Sequence, residues 1–412
     1  MPNTSVLVVG GGFSGITAAL EAAEVGHEVF LVEKSPYLGG RVAQLNKYFP
    51  KLCPPSCGLE IQFQRIKKNS LVNVFTLAEV VSVTGQKGAY NVKIKIKPRY
   101  TAPFAADLSE VAAELGSGNK SEFEFGLASR KALHKDMPFA YPARYVLEKN
   151  ELSNADAETL ADNEFIDLSE TEREIEVTVG AIIMATGWKP YDMTNLTNLG
   201  AGLLDNCVSN MQMERLASSH GPTDGVIQRP SDGKTPKRVA FVQCAGSRDE
   251  NNLSFCSYIC CMASLKQATY VREQLPETQV TIYYIDLRTP DRYQKFRDRV
   301  LCDEGIRTVK GKVADAQQGE GGTVVLTVED AVAGTKSKEE FDLVVLATGM
   351  QPSLAGEKLP FDLPLDEEGF IIGGEENGIF AAGCAKKPLD VMKSAQSGTG
   401  AAMKAIETVR GR

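Results

Sequence analysis

The sequence feature that most constrains this chain is a glycine turn set between a strand and a helix. Val6-Leu7-Val8-Val9 is a short β-branched run, Gly10-Gly11-Gly12-Phe13-Ser14-Gly15 follows it, and Ile16 to Glu24 is alanine-rich and helical in character. Glu28 to Val32 then reads as a second strand, ended by Glu33. A lone G-x-G-x-x-G is weak, but here an acid arrives about 20 residues on, where a dinucleotide-binding βαβ unit needs it. Gly10 permits the tight turn, Gly12 lets backbone approach a pyrophosphate, and Gly15 lets helix and strand pack closely. The helix start offers free N–H groups and a positive dipole end to phosphates. Glu33 is expected to accept hydrogen bonds from adenosine ribose hydroxyls.

At 412 residues the chain suits two or three domains with sizeable cores. A net charge of -8 and a pI near 5.3 argue against nucleic-acid binding, which needs a basic face. The first strand begins almost at the initiator, so no leader is expected. The longest apolar stretches, such as 179–188, fall short of the roughly 20 residues that span a bilayer. The expectation is a cytoplasmic chain with no direct membrane insertion, any membrane contact coming through partner subunits.

Further along, Leu71 to Val83 and Ala89 to Lys97 predict strands of a small sheet. Residues 101–135 are weakly patterned, and the acidic stretch 148–174 predicts a solvated linker. Ile175 to Met184 predicts a strand pair leading into Ala185-Thr186-Gly187. A second strand–turn–helix begins at Arg238 to Val242, continues through strands at Gln279 to Ile285 and Leu343 to Leu346, and reaches Ala347-Thr348-Gly349. Gly378 to Gly383 then resumes the first domain, with a small-residue helix from about Ser394 to Val409. The fold class is therefore α/β, with two dinucleotide-type domains and the second inserted into the first: residues 1–200, 201–364 and 365–412.

Gly39-Gly40-Arg41 comes just after Glu33, and Ala185-Thr186-Gly187 and Ile379-Phe380-Ala381-Ala382-Gly383 come late. These segments resemble those of the two-dinucleotide-domain, thioredoxin-reductase-like flavoproteins. The resemblance implies FAD in the first domain, lined by the GG-R segment and the ATG turns. It implies that the turn at Gly383 touches the diphosphate and ribityl chain. Cys384 stands where that group usually has an aspartate, so its contact would be backbone or thiol. Phe13, Ser14, Lys34, Gln44 and Val80 are further candidates for the flavin site. The second domain has Gln243-Cys244-Ala245-Gly246-Ser247-Arg248-Asp249 where a nicotinamide binder repeats G-x-G-x-x-G. Side chains there would obstruct a pyrophosphate, so no NAD(P)H site is expected.

The cysteines carry the most specific chemistry. Cys244, Cys256, Cys260 and Cys261 form the pattern C-x11-C-x3-C-C, with Cys244 expected just past a strand end and Cys256 with Cys260 on one helical face. Soft thiolates select zinc or iron–sulfur, and the bland alternative is buried thiols with a redox disulfide. The spacing alone leaves these open. The run Val242 to Asp249, then Cys256-Ser257-Tyr258-Ile259-Cys260-Cys261-Met262, closely resembles the A subunit of heterodisulfide reductase, as do Gly39 to Leu45, Arg130 to Ala140 and Gly378 to Ala385. That resemblance implies a 4Fe-4S cluster on Cys244, Cys256, Cys260 and Cys261 close to the FAD.

Full-length members carry ferredoxin modules rich in C-x-x-C repeats, which this sequence lacks. A ferredoxin-free version resembles the A subunit of the quinone-interacting membrane-bound oxidoreductase of sulfate reducers. It implies two partners, a second subunit with flavin and iron–sulfur centres and a haem subunit in the membrane, with electrons passing from menaquinol toward adenylylsulfate reductase. Two other readings stay open: an NAD(P)H-dependent disulfide or sulfur reductase using Cys256 and Cys260 as a dithiol, and a partner-binding scaffold with structural FAD. Cys53 and Cys57 form a redox pair, contact the flavin face, or simply sit in a proline-stiffened loop, and Cys207 and Cys302 read as buried thiols. His27, His134 and His220 lack metal spacing, with His134 a candidate neighbour of the flavin ring. Lys386 and Lys387 would stabilise a reduced anionic flavin if they approach it.

Overall fold

The computed structural model describes residues 4–411 except 105 and 358. The chain divides into two compact units, one of Met1–Trp188 with Pro352–Arg412, the other of Lys189–Gln351.

The first unit is built on a five-stranded sheet in the order Ile379–Ala381, Ala181–Met184, Val6–Val9, Val29–Val32, Val72–Phe75, with every pair parallel. Val6 stands opposite both Ala181 and Val29, so the glycine turn leaves the middle of the sheet at its carboxyl edge. Both faces are covered, which is why these strands read as unbroken apolar runs. On one face the first helix, Phe13–Glu24, shares a core with the last, Val391–Val409, through Ala18, Ala22, Ala402 and Ala405. A Cβ on Gly398 of the last helix would lie 2.4 Å from the Ser14 carbonyl oxygen, so the two backbones run close.

A three-stranded antiparallel sheet of Arg173–Val179, Ala89–Ile96 and Ala78–Gln86 covers the other face. The sequence pattern predicts 71–83 as part of that small sheet. In the structure Val72–Phe75 joins the parallel sheet instead, and Leu77, at φ 53°, turns the chain between the two.

The acidic stretch is not a solvated linker. Leu108, Leu115, Leu133, Leu147, Leu160 and Ile166 bury together as a satellite core, with helices at Ser109–Glu114 and Asn154–Ala161. Ser153 caps the second of these through the Asp156 amide. The Asp156 carboxylate accepts the Gly116 and Ser117 amides at 2.9 Å each. One buried acid ties two segments together where no apolar period shows.

The second unit holds a seven-stranded sheet: Cys207–Ser209, Leu343–Thr348, Arg238–Ala245, Gln279–Tyr284 and Ile306–Gln318 in parallel, then Val324–Asp330 and Thr335–Phe341 antiparallel. Its core is formed by residues such as Val242, Tyr283, Leu326 and Phe341. Arg238–Ala245 pairs regularly with Leu343–Thr348 until the register shifts between Val242 and Ala245, the bulge that displaces Cys244.

Candidate flavin cavity and cysteine site

In the first unit a cavity of about 600 Å³ opens at the carboxyl ends of the parallel strands, where doubly wound sheets bind ligands. That volume lies within the range of small-molecule sites. Of the sixteen positions the sequence singled out for flavin, Gly10, Gly12, Phe13, Ser14, Glu33, Lys34, Gly40, Arg41, Gln44, Val80, Ala185, Thr186, Gly187 and Cys384 line it. Gly15 and Gly383 do not. A Cβ on Gly15 would lie 1.9 Å from the Gly10 carbonyl oxygen, and one on Gly383 would lie 2.4 Å from Ser14 Oγ. Both act behind the wall, holding the turn against its neighbours.

The floor is a cradle that any side chain would fill. Gly10 has φ +109°, and a Cβ there would lie 2.3 Å from the Ala185 carbonyl oxygen. A Cβ on Gly40 would meet Gly12 Cα at 2.9 Å. Thr186 Oγ1 is buried without a partner among the described residues at the cavity wall, a donor free for a ligand. These features fit a dinucleotide.

Arg41 supplies positive charge. Its Nε donates to the Trp188 carbonyl at 3.2 Å and its Nη1 to Gln44 Oε1 at 2.9 Å, while the guanidinium lies 5.8 Å from the Phe125 ring centre. Burial depresses its pKa, offset in part by Glu33 and Glu122. The Glu33 carboxylate is already engaged: Oε2 accepts the Gly11 amide at 2.6 Å and Oε1 the Ser35 amide at 2.7 Å.

Sequence reading missed Glu122, Phe123, Asp136 and Met137, which the satellite segment brings to the cavity wall. The link is specific, since Gln44 Nε2 donates to the Phe123 carbonyl at 3.2 Å. His134 does not line the cavity; its Nε2 lies 3.3 Å from Asp136 Oδ1, which does. Burial, then the Arg130 charge, draws His134 down to about 4, and burial pushes Asp136 up to about 6 against the pull of Arg130. Lys386 and Lys387 are not at the wall either, and Lys386 faces Glu375 at 3.8 Å. Cys384 is buried, its thiol donating to the Leu389 carbonyl at 3.5 Å, and burial raises its pKa.

In the second unit Cys244, Cys256, Cys260 and Cys261 line one small cavity with Arg248, Tyr258, Asp286 and Arg288. Cys244 lies within its strand at φ 57°, not past its end. Cys256 precedes the helix Cys260–Gln274, whose N-cap is Ile259, so Cys256 and Cys260 share no helical face. The loop between them turns back through Tyr258, at φ 66°. Left-handed backbone at Cys244, Arg248 and Tyr258 costs of order 1 kcal/mol or more per residue, and such outliers cluster at functional sites.

Burial, then the neighbouring cysteines, pushes the Cys260 thiol far up, and burial pushes Cys261 to about 11. Cys260 Sγ donates to the Thr348 carbonyl at 3.7 Å and Cys261 Sγ to the Asp286 carbonyl at 3.4 Å, while Cys256 Sγ accepts the Tyr258 amide at 3.4 Å. Arg248 Nη2 pairs with Asp286 at 2.9 Å. Among the described residues no group of three or more His, Cys, Asp or Glu is placed to hold a single metal ion. Thiolates on one zinc stand within about 4 Å of each other, given Zn–S bonds of ~2.3 Å. A cubane spreads four thiolates over four irons and so needs a wider donor set than one zinc.

Of the remaining cysteines, Cys207 is buried, donating to the Leu199 carbonyl at 3.4 Å, whereas Cys302 is exposed and not a buried thiol. His27 is buried against the Thr4 carbonyl at 2.9 Å, and His220 is exposed. Among the described residues no helix is long and apolar enough to cross a membrane.

Fold and cavity together define an oxidoreductase of the FAD-dependent class. Residues 5–106 match the family model for FAD dependent oxidoreductases. Solved structures share the fold: thioredoxin reductase from Lactococcus lactis has a TM-score of 0.53 at 13% identity, covering 99% of this chain and 100% of that one. Thioredoxin reductase from T. acidophilum gives 0.52 at 14%, covering 99% and 98%.

Within that class the chain is similar to the A subunits of heterodisulfide reductases. It is 38% identical over 97% of its length to the second iron-sulfur A subunit of the CoB--CoM heterodisulfide reductase of Methanopyrus kandleri, covering 63% of that protein. It is 32% identical over 98% of its length to the A subunit of the H(2):CoB-CoM heterodisulfide,ferredoxin reductase of Methanothermobacter thermautotrophicus, covering 64%. The chain thus spans less than two thirds of these relatives.

Proposed function

We propose that this chain is an FAD and 4Fe-4S electron-transfer subunit of a membrane-associated oxidoreductase complex. FAD is held by Gly10, Gly12, Phe13, Ser14, Glu33, Lys34, Gly40, Arg41, Gln44, Val80, Ala185 to Gly187 and Cys384, with Gly15 and Gly383 shaping the site. The cluster is held by Cys244, Cys256, Cys260 and Cys261. The observation that carries the reading is the convergence of these four thiols, separate in sequence, on one cavity. The kinship with proteins named for their iron–sulfur content supports it.

Flavin and cluster would supply the exchange of electron pairs for single electrons. The chain's own residues provide position and charge. The glycine cradle seats the diphosphate against helix amides, Arg41 sets positive charge at the wall, and Asp136 sets a carboxyl beside it. Burial holds Cys260 and Cys261 as neutral thiols while no metal is bound, and metal binding would displace their protons.

The complex we propose carries electrons from the menaquinone pool to adenylylsulfate reductase. Its other members are a second subunit with flavin and iron–sulfur centres and a haem subunit in the membrane. The supporting observation is internal: no cysteine lies between Cys57 and Cys207, so the inserted segment carries no ferredoxin. The test is anaerobic purification with iron, sulfide and flavin analysis. We expect about four irons and one FAD per chain. Cys260→Ser should lose the low-temperature paramagnetic signal of the reduced cluster while keeping FAD. Iron-free protein from an anaerobic preparation overturns the cluster. Failure of the intact complex to pass electrons from a menaquinol analogue to adenylylsulfate reductase overturns the pathway.

A further inference from the structure

The first unit carries a second thiol site that neither the flavin nor the cluster uses. Cys53 and Cys57 flank Pro54-Pro55-Ser56, and the structure makes this stretch the start of a 14-residue helix, Pro55–Lys68, not a loop. Proline at the first helical position fixes the backbone there, and Cys57 falls in the first turn. Cys53 is held from the other side, since the Tyr48 amide donates to its carbonyl at 3.1 Å. Burial, then the neighbouring Cys57 thiol, pushes the Cys53 thiol up, and Cys57 is exposed while Cys53 is half-buried. One turn beyond Cys57 on the same face, Ile61 is 61% exposed, an apolar neighbour beside the reachable sulfur. Behind the pair, Tyr48 packs on the helix start and stands 6.3 Å, ring centre to ring centre, from Phe13, which lines the flavin cavity.

We propose that Cys53 and Cys57 are a redox-active dithiol that exchanges with an external disulfide. Cys57 thiolate attacks one sulfur of the incoming disulfide; a Cys57–S bond forms, the external S–S bond breaks, and the first thiol leaves. Cys53 then attacks Cys57 Sγ, closing the internal disulfide and releasing the second thiol. The pair loses two electrons, the external disulfide gains them, and the protons of Cys53 and Cys57 end on the two thiols released. The exposed member is the attacker and the half-buried member resolves, the usual order for such pairs.

The test uses the full chain, reduced, freed of reductant and exposed anaerobically to glutathione disulfide, then alkylated and read by peptide mass. The expected result is an internal Cys53–Cys57 disulfide in the wild type with two glutathione molecules released. Cys53→Ser should instead trap one glutathione on Cys57, and Cys57→Ser should react at least tenfold more slowly at this peptide. A parallel arm with an oxidised thioredoxin at equal concentration distinguishes a protein disulfide from a small one by rate. A stable wild-type adduct on Cys57, or both cysteines recovered alkylated in both arms, overturns the proposal. The readout is on thiols alone, so it stands or falls separately from the flavin and cluster assignments.

Discussion

The Gly11 amide donates to Glu33 Oε2 at 2.6 Å, joining the glycine turn to the end of the next strand. The acid read from sequence as a ribose acceptor therefore also holds the turn in shape, with its second oxygen on the Ser35 amide. Glu33→Ala should lose both charged hydrogen bonds at a part-exposed site, costing about 2 kcal/mol. Thermal unfolding and flavin content after gel filtration check this, with Glu33→Gln falling between.

Glycines of the first and last helices respond oppositely to added methyls. Gly15→Ala places a Cβ 1.9 Å from the Gly10 carbonyl oxygen and should cost about 3 kcal/mol or more, with flavin lost. Gly400→Ala, in the last helix with nothing within 4 Å, should raise stability by about 0.5–1 kcal/mol. Urea titrations of both variants measure the contrast.

Asp136 at the cavity wall and His134 behind it give two opposed pH slopes. Asp136 sits at about 6 in the fold, against about 3.9 unfolded, so the folded protein binds its proton more tightly and stability falls as pH rises through that window. His134 sits at about 4, against about 6.5 unfolded, so stability rises over nearly the same range. Arg130, Glu122, Glu124 and Glu148 act on Asp136, and Arg130 and Arg99 on His134. Relative to wild type, Asp136→Asn should gain of order 2–3 kcal/mol between pH 4.5 and 7. His134→Gln should gain relative to wild type as pH falls. Denaturant unfolding across pH 4.5 to 7.5 reads both.

In the second unit Lys266 Nζ lies 3.0 Å from Glu214 Oε1, with both side chains almost fully buried. Gln267 Nε2 donates to the same oxygen at 2.7 Å. Glu214→Gln leaves a buried cation uncompensated and should cost about 3–5 kcal/mol, while Glu214→Leu with Lys266→Met should be near neutral. A double-mutant cycle by urea unfolding decides it.

The parts legible in the sequence are those where backbone geometry dictates residue type. Gly10 and Gly15 could be placed because only glycine tolerates the contacts their turn makes, and the parallel strands because both their faces are buried. The satellite core was not legible, since its stability comes from Leu133, Leu160 and Asp156, far apart and without period. Asp136 escaped for the same reason: a tertiary contact brings it to the cavity, and nothing in its local sequence marks it. Cys256 was misplaced because the i, i+4 spacing suggested a helix, whereas Tyr258 in the left-handed region breaks it.

The second unit is one continuous stretch, whereas the first is split, its edge strand Ile379–Ala381 and last helix supplied from beyond residue 352. A ribosome therefore delivers the FAD-site unit in two instalments, with a whole domain emerging between them. Until the final helix arrives, Ala18 and Ala22 have no cover and the sheet lacks an edge. Flavin loading must wait for Val391–Val409 to emerge, and the waiting amino-terminal half is the stretch most in need of a chaperone.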